Sequence, residues 1–204
     1  MERTQAVTVR PAGEHDAVLV DLSCGRCPEC EAGAPVWCRE QGEEGCEVVR
    51  VPAALAPEAL EALLAAAALE QAPQGVPVLV VAAPGSPLPE LVRRLRADDS
   101  VVCGDPADGE VREALAALDA TGRAPVLVTT GDARRAVKAV RRGGHVCVSG
   151  TAVALPSITE LVQREVTLLA PRDLAPVTTR IDPPELRTLL ATPVTARRAE
   201  KNST

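Results

Sequence analysis

The sequence predicts an α/β protein built on a Rossmann-like, doubly wound parallel sheet, with a small N-terminal β unit that carries a four-cysteine zinc lobe. Three observations predict it. From residue 76 onward, short apolar runs alternate with stretches of helical period, the pattern of repeated βαβ units. Four cysteines crowd into "CGRCPECEAGAPVWC", residues 24 to 38. The segments on either side of that cluster are short, rich in valine and bounded by turn residues, as strands are. With 204 residues, 46% of them hydrophobic, the chain can bury one substantial core and a small appendage. The expected organisation is a β unit over 1–56 with the lobe at 24–38, a Rossmann-like domain over 57–192, and a disordered tail over 193–204.

"AVTVR" and "AVLVDL" read as strands around the turn "PAGEHD", and "CEVVRV" after the cluster reads as a third. Pro57 then opens "PEALEALLAAAALE", a helix by its alanine and leucine content, with acidic residues early enough to suit the N-terminal dipole. "VPVLVVAA" is the continuous apolar run of a strand buried on both faces. Ser86 and Pro87 start the helix of Leu88, Leu91, Val92 and Leu95, spaced i, i+3, i+4, i+7. "SVVCGD" is the next strand, followed by a helix with Val111, Ala114, Leu115 and Leu118. The strand "APVLVTT" follows, then a helix with Ala133, Ala136, Val137 and Val140 that ends at Gly143 and Gly144. "HVCVSG" is a fourth strand, "SITE" at Ser157–Glu160 is a capping box, and "EVTLLA" at 165–170 is a fifth strand. Asp182 and Pro183 open a last helix, "PELRTLLA".

Composition narrows the function classes. The net charge is -6, and the basic clusters (Arg93, Arg94, Arg96; Arg134, Arg135; Arg141, Arg142) fall in separate helical stretches. They read as solvated helix faces, not as the coherent basic surface that a nucleic acid requires. No apolar run has the length of a membrane span, and the N-terminus lacks the apolar core of a signal peptide, so the expectation is a cytoplasmic protein without a membrane partner. Two Lys, two Ile and one Asn beside twenty Arg, with no Phe or Tyr, suit a very GC-rich bacterial genome. The core must then be packed with Ala, Val and Leu.

Cys24, Cys27, Cys30 and Cys38 are spaced 3, 3 and 8 apart, with Gly25 and Gly33 for tight turns and Pro28 and Pro35 stiffening the loop. Four thiolates close a tetrahedral shell around one zinc with no open position, as in a structural site. Disulfides compete poorly, because cysteines three apart cannot all pair without strain and a cytosol keeps thiols reduced. An iron–sulfur cluster would use the same four thiolates. Cys46, Cys103 and Cys147 lie in apolar strand-like runs and read as small core residues. His15, in a polar turn, and His145, after two glycines, have no nucleophile near them in sequence.

The cysteine lobe, preceded by "GEHDAVLVDLS" and followed by the βα series with "AVKAVRRGGHVCVSG", resembles the zinc-dependent alcohol dehydrogenases of the medium-chain dehydrogenase/reductase superfamily over residues 12–192. The resemblance implies that Cys24, Cys27, Cys30 and Cys38 are structural-zinc ligands and that Asp105 is the acid that holds an adenosine ribose. It also exposes departures. Family members carry a Cys and a His-Glu pair for a catalytic zinc upstream of the lobe, and the 23 residues before Cys24 contain only His15. The C-terminal return segment of the family's catalytic domain is missing as well, so the chain looks truncated. The phosphate-loop position reads "AAPGSPLPE", with Ala82, Pro84 and Pro87 near the three glycine positions and Gly85 the one glycine left. Prolines remove N–H groups and add rings where a pyrophosphate would approach.

Two readings follow. The first is an accessory or binding protein, or a catalyst of non-redox chemistry, that has kept the zinc and lost the redox function. The alternative is an NAD(P)-dependent oxidoreductase without catalytic zinc, with Gly85, Ser86 and Asp105 at the cofactor. In either case a small-molecule site is expected where loop 82–87, Cys103 and Asp105 converge at the carboxyl edge of the sheet. The apolar strand 165–170, without Lys or Pro, is the expected contact of a homodimer. A monomer whose edge is covered by "PRDLAPVTTR" is the competing expectation.

Overall fold

The computed structural model describes residues 7–11, 16–21, 24, 26–31, 46–52, 57–97, 99–149, 155–171 and 174–191. Strands β1 (Val7–Pro11), β2 (Asp16–Asp21) and β3 (Cys46–Pro52) form an antiparallel sheet in the order β1-β2-β3. The register of β2 against β3 shifts between Leu19 and Val20. The cysteine-rich stretch enters between β2 and β3, and its residues Pro28–Glu31 form the short helix α1. The expected tail, 193–204, lies outside the described residues.

Helix α2 (Pro57–Ala68) and one 3-10 turn, Leu69–Gln71, lead to the second sheet. Strands β4 (Val78–Val81), β5 (Val101–Cys103), β6 (Val126–Thr129), β7 (His145–Val148) and β8 (Thr167–Leu169) are all parallel, in the order β5-β4-β6-β7-β8. Helices α3 (Leu88–Leu95), α4 (Gly109–Leu118), α5 (Ala133–Ala139) and α6 (Ile158–Arg164) make the crossovers. Two more, α7 (Ala175–Arg180) and α8 (Pro183–Ala191), follow β8.

The apolar strand runs are buried on both sides because side chains alternate across the sheet. Val126 and Val128 join the core under α2, α3, α7 and α8, while Leu127 joins the core under α4 and α5. Wholly buried leucines such as Leu127 contribute roughly 2 kcal/mol each. On the α2 side the missing aromatics are offset by close approach. Ala62 and Ala65–Ala68 are buried, and these methyl-sized residues let α2 lie directly against β6 and β7.

Three expectations need correction. The strand expected over 165–170 is shorter: Glu165 adopts a left-handed conformation (φ 56°) that ends α6, and β8 covers Thr167–Leu169. "PRDLAPVTTR" contains α7, and Val177 of that helix, with Leu174 before it and Ile181 after it, is buried in the core beside α2 and α3. Arg96, expected on a solvated helix face, is buried at the end of α3. It donates to the carbonyls of Leu69, Ala72 and Pro73 and to Asp99.

The strand order places the site. After β4 the chain crosses outward to β5, then returns past β4 to β6. The loops leaving β4 and β6 therefore diverge, and a crevice opens between their carboxyl ends.

Candidate functional site

The turn from β4 to α3 has few hydrogen-bond donors. Gly85 takes φ 81°, a conformation that costs other residues about 1 kcal/mol or more. The Ser86 N–H donates to the Ala83 carbonyl at 3.1 Å, and the Leu88 N–H donates to Ser86 Oγ at 3.2 Å. Pro84, Pro87 and Pro89 have no N–H to give. Pro87 occupies the N-cap of α3, which has no side-chain cap bond. Of the seven residues 83–89, three lack the donor and two spend it on the turn itself.

Beside it, β5 ends at Gly104, where an added Cβ would lie 2.6 Å from Val111 Cγ2 and φ is +146°. The Gly104 N–H donates to the Val80 carbonyl at 3.0 Å and holds this turn against β4. Asp105 follows. Its Oδ1 accepts from the Ala107 N–H at 2.8 Å, and its two oxygens accept from Arg135 Nη2 at 3.2 and 2.9 Å. The pair is exposed, with 64% of the Arg135 side chain and 50% of that of Asp105 open to solvent, so it is weak as a source of stability.

Between these turns lies a cavity of about 410 Å³. Val81, Ala82, Leu127 and Thr129 come from the ends of β4 and β6, and Ala136 from α5. Thr129 is buried, and its Oγ1 accepts from the Gly131 N–H at 3.0 Å. Asp132 caps α5 by accepting from the Arg135 N–H at 3.1 Å. Glu58 and Glu61 approach from α2, and Pro106 from the turn after Asp105.

Of the sequence-predicted residues, Ser86 lines the cavity, Gly85 is exposed in the adjoining turn, and Asp105 is tied to the lining through Arg135. Cys103 is half-buried and accepts from Arg93 Nη2 at 3.4 Å; it is not on the lining. Glu58, Glu61, Thr129 and Asp132 were not singled out by sequence, and Arg135 was read only as part of a solvated helix face. Their one signal was position, since Thr129 to Arg135 run from the end of a predicted strand into the next helix.

In the cysteine lobe the Cys27 N–H donates to Cys24 Sγ at 3.3 Å, and Cys27 is buried. The Glu31 N–H donates to the Cys27 carbonyl at 2.9 Å, closing the turn into α1. Cys38 and the side chain of Cys30 lie outside the described residues, among which no cluster of three or more His, Cys, Asp or Glu is gathered.

The shifted acid–base groups are structural. Burial pushes the Cys147 thiol up to about 12, which keeps it protonated in the core. Glu160 is held at about 2, first by the Ser157 backbone N–H of the capping box and then by Arg134. His145 sits at the amino end of β7, away from the cavity, and His15 lies outside the described residues. Among the described residues no helix is long and apolar enough to cross a membrane.

No family model matches the chain, and no curated protein sequence matches it. Among solved structures the chain is similar to a NAD-dependent alcohol dehydrogenase at 18% identity and a TM-score of 0.45, covering 86% of this chain and 65% of that one. It is also similar to the acetophenone reductase from Geotrichum candidum in complex with NAD, at 16% identity and a TM-score of 0.46, covering 78% and 59%. A third likeness is to a cobalt- and zinc-bound thermostable alcohol dehydrogenase from Pyrobaculum aerophilum, at 16% identity and a TM-score of 0.45, covering 89% and 65%. The chain spans less than two thirds of the length of each of these three.

Proposed function

We propose that the chain is a zinc-stabilised, dehydrogenase-like protein that has given up redox chemistry and binds a small molecule at the carboxyl end of its parallel sheet. The observation that carries this reading is the β4–α3 turn. A dinucleotide pyrophosphate is held by backbone N–H groups at a glycine-rich turn. Here Pro84, Pro87 and Pro89 delete such groups, and Ser86 and Leu88 direct theirs into the turn. One zinc held by Cys24, Cys27, Cys30 and Cys38 is part of the same proposal. The N–H bond from Cys27 to Cys24 Sγ supports it, because such a bond stabilises a thiolate in a Cys-x-x-Cys turn.

The alternative, an NAD(P)-dependent oxidoreductase without catalytic zinc, draws on Asp105. Its carboxylate ends the second parallel strand beside the crevice, with a guanidinium at hand. Titration with NAD⁺, NADH, NADP⁺ and NADPH separates the two. The binding reading expects no saturation by any of them, and a low-micromolar dissociation constant for one would favour the alternative. Elemental analysis is expected to give one zinc per chain, and iron or two zincs would overturn the assignment of the lobe.

The chain is further proposed to act as a homodimer through β8. That strand is an edge of the sheet, and α6, which feeds it, exposes Ile158 and Val162 one turn apart. Light scattering decides it: a mass near 21.2 kDa rejects the dimer.

A further inference from the structure

We infer that the amino end of the parallel sheet carries a binding site for a small phosphate dianion, built from Arg123 and Arg164. The strand order brings the two together. Arg123 lies in the loop ahead of β6, Arg164 ends α6 ahead of β8, and α5 ends between them ahead of β7. The loop after α5 fixes both backbones: the Arg141 N–H donates to the Ala124 carbonyl at 3.1 Å, and the Gly143 N–H donates to the Arg164 carbonyl at 3.1 Å. Arg123 Nη1 and Arg164 Nη1 then donate to one oxygen, the Lys138 carbonyl, at 3.0 and 3.1 Å. Two guanidinium nitrogens in hydrogen-bond reach of a single oxygen are no more than about 6 Å apart.

What sets this pair apart is its lack of counter-charge. Arg134, Arg141 and Arg142 each meet a carboxylate, at 3.0, 3.0 and 2.8 Å. Arg123 and Arg164 meet none among the described residues, and the acids close by are taken: Glu160 by Arg134 and the capping box, Asp119 by Arg141, Glu165 by Arg142. In a chain of 28 acidic and 22 basic residues, two adjoining arginines without an acid stand out. The C-terminal dipole of α5 offsets only part of two unit charges. Each guanidinium has five N–H groups and spends one on Lys138, and Arg123 is exposed. A tetrahedral phosphate, with nearly two negative charges and acceptor oxygens on several sides, matches two forks that approach from separate chain segments. A carboxylate balances one of them, and a cation or an apolar molecule neither.

The test is a titration of the full chain with inorganic phosphate, followed by amide NMR at constant ionic strength, with acetate and chloride as controls. Phosphate is expected to saturate shifts at Arg123, at 138–144 and at Arg164, with acetate at least about tenfold weaker and chloride without effect. Arg123→Gln and Arg164→Gln are each expected to weaken phosphate about tenfold, and Arg112→Gln, at an exposed position of α4, to leave it unchanged. Both substitutions also remove a donor from the end of α5, so thermal melts accompany them. Phosphate is expected to raise the melting temperature of the unaltered chain and not that of the Arg123→Gln/Arg164→Gln double variant. Absence of saturation, acetate as tight as phosphate, or a phosphate response that survives the double substitution overturns the inference. So does the result expected of arginines that only close α5, lower melting temperatures in the variants and no response to phosphate in any chain.

Discussion

The two ends of the parallel sheet treat polar groups in opposite ways. At the amino end, Arg96 and Asp99 are buried to 2% and 4% side-chain exposure. Arg96 reaches three carbonyls and Asp99, while Asp99 also accepts from the Gly75 N–H at 2.8 Å. Arg180 works at the same end, donating to the Leu95 carbonyl at the close of α3 at 2.7 Å. At the carboxyl end the Asp105–Arg135 pair is open to water, and Glu58 is exposed. The lesson is a division of labour: cations close helix C-termini where the chain needs internal order, and acids gather at helix starts where the sheet is open. The Arg96–Asp99 pair at the first end is used in folding, and the Asp105–Arg135 pair at the second stays open to water.

The sharpest way to break that contrast is Asp99→Ala. It leaves buried Arg96 without its counter-charge and the Gly75 N–H without its acceptor, so urea unfolding is expected to show a loss of about 3 kcal/mol. Asp105→Asn at the other end is expected to leave the urea midpoint almost unchanged. A smaller effect separates two turns at the carboxyl end. Asp132→Ala removes a true N-cap and is expected to cost about 1 kcal/mol, whereas Ser86→Ala, which removes one 3.2 Å bond to the Leu88 N–H ahead of the Pro87 N-cap, is expected to cost about half that or less. The smallest effect is pH-dependent. The Glu160 carboxyl is held below its ordinary value of 4.5, at about 2, so it stabilises the fold above pH 4.5 and that contribution fades as pH falls towards 2. Thermal melts over this range are expected to show a shallower decline for Glu160→Gln than for the unaltered chain.

What was legible in the sequence was whatever local pattern determines. The runs around Val78 and Val126 announced buried strands because few other elements keep every position apolar over so short a length. Ser157 and Glu160 announced a capping box, which the structure forms in full. Helix α7 was missed because Pro171, Pro176 and a pair of threonines mask the spacing of Leu174, Val177 and Ile181. Arg96 was misread because its two exposed neighbours, Arg93 and Arg94, pair with Glu90 on the surface, and nothing local tells the third arginine apart. The cavity was legible only in part. Ser86 was named, but the lining joins residues from 58 to 136 in four separated segments that only the crossover from β5 back to β6 brings together.

Strand β6 lies third among the five strands, hydrogen-bonded on both flanks, with all four residues buried. Its amide protons have no route to solvent through fraying, so deuterium enters them only when the whole sheet opens. The three-residue strands β5 and β8, at the two edges, exchange by local opening instead. Leu127 and Thr129, which form part of the cavity, are thus expected among the last of the described residues to exchange. A ligand seated there binds against the portion of the backbone that changes shape least.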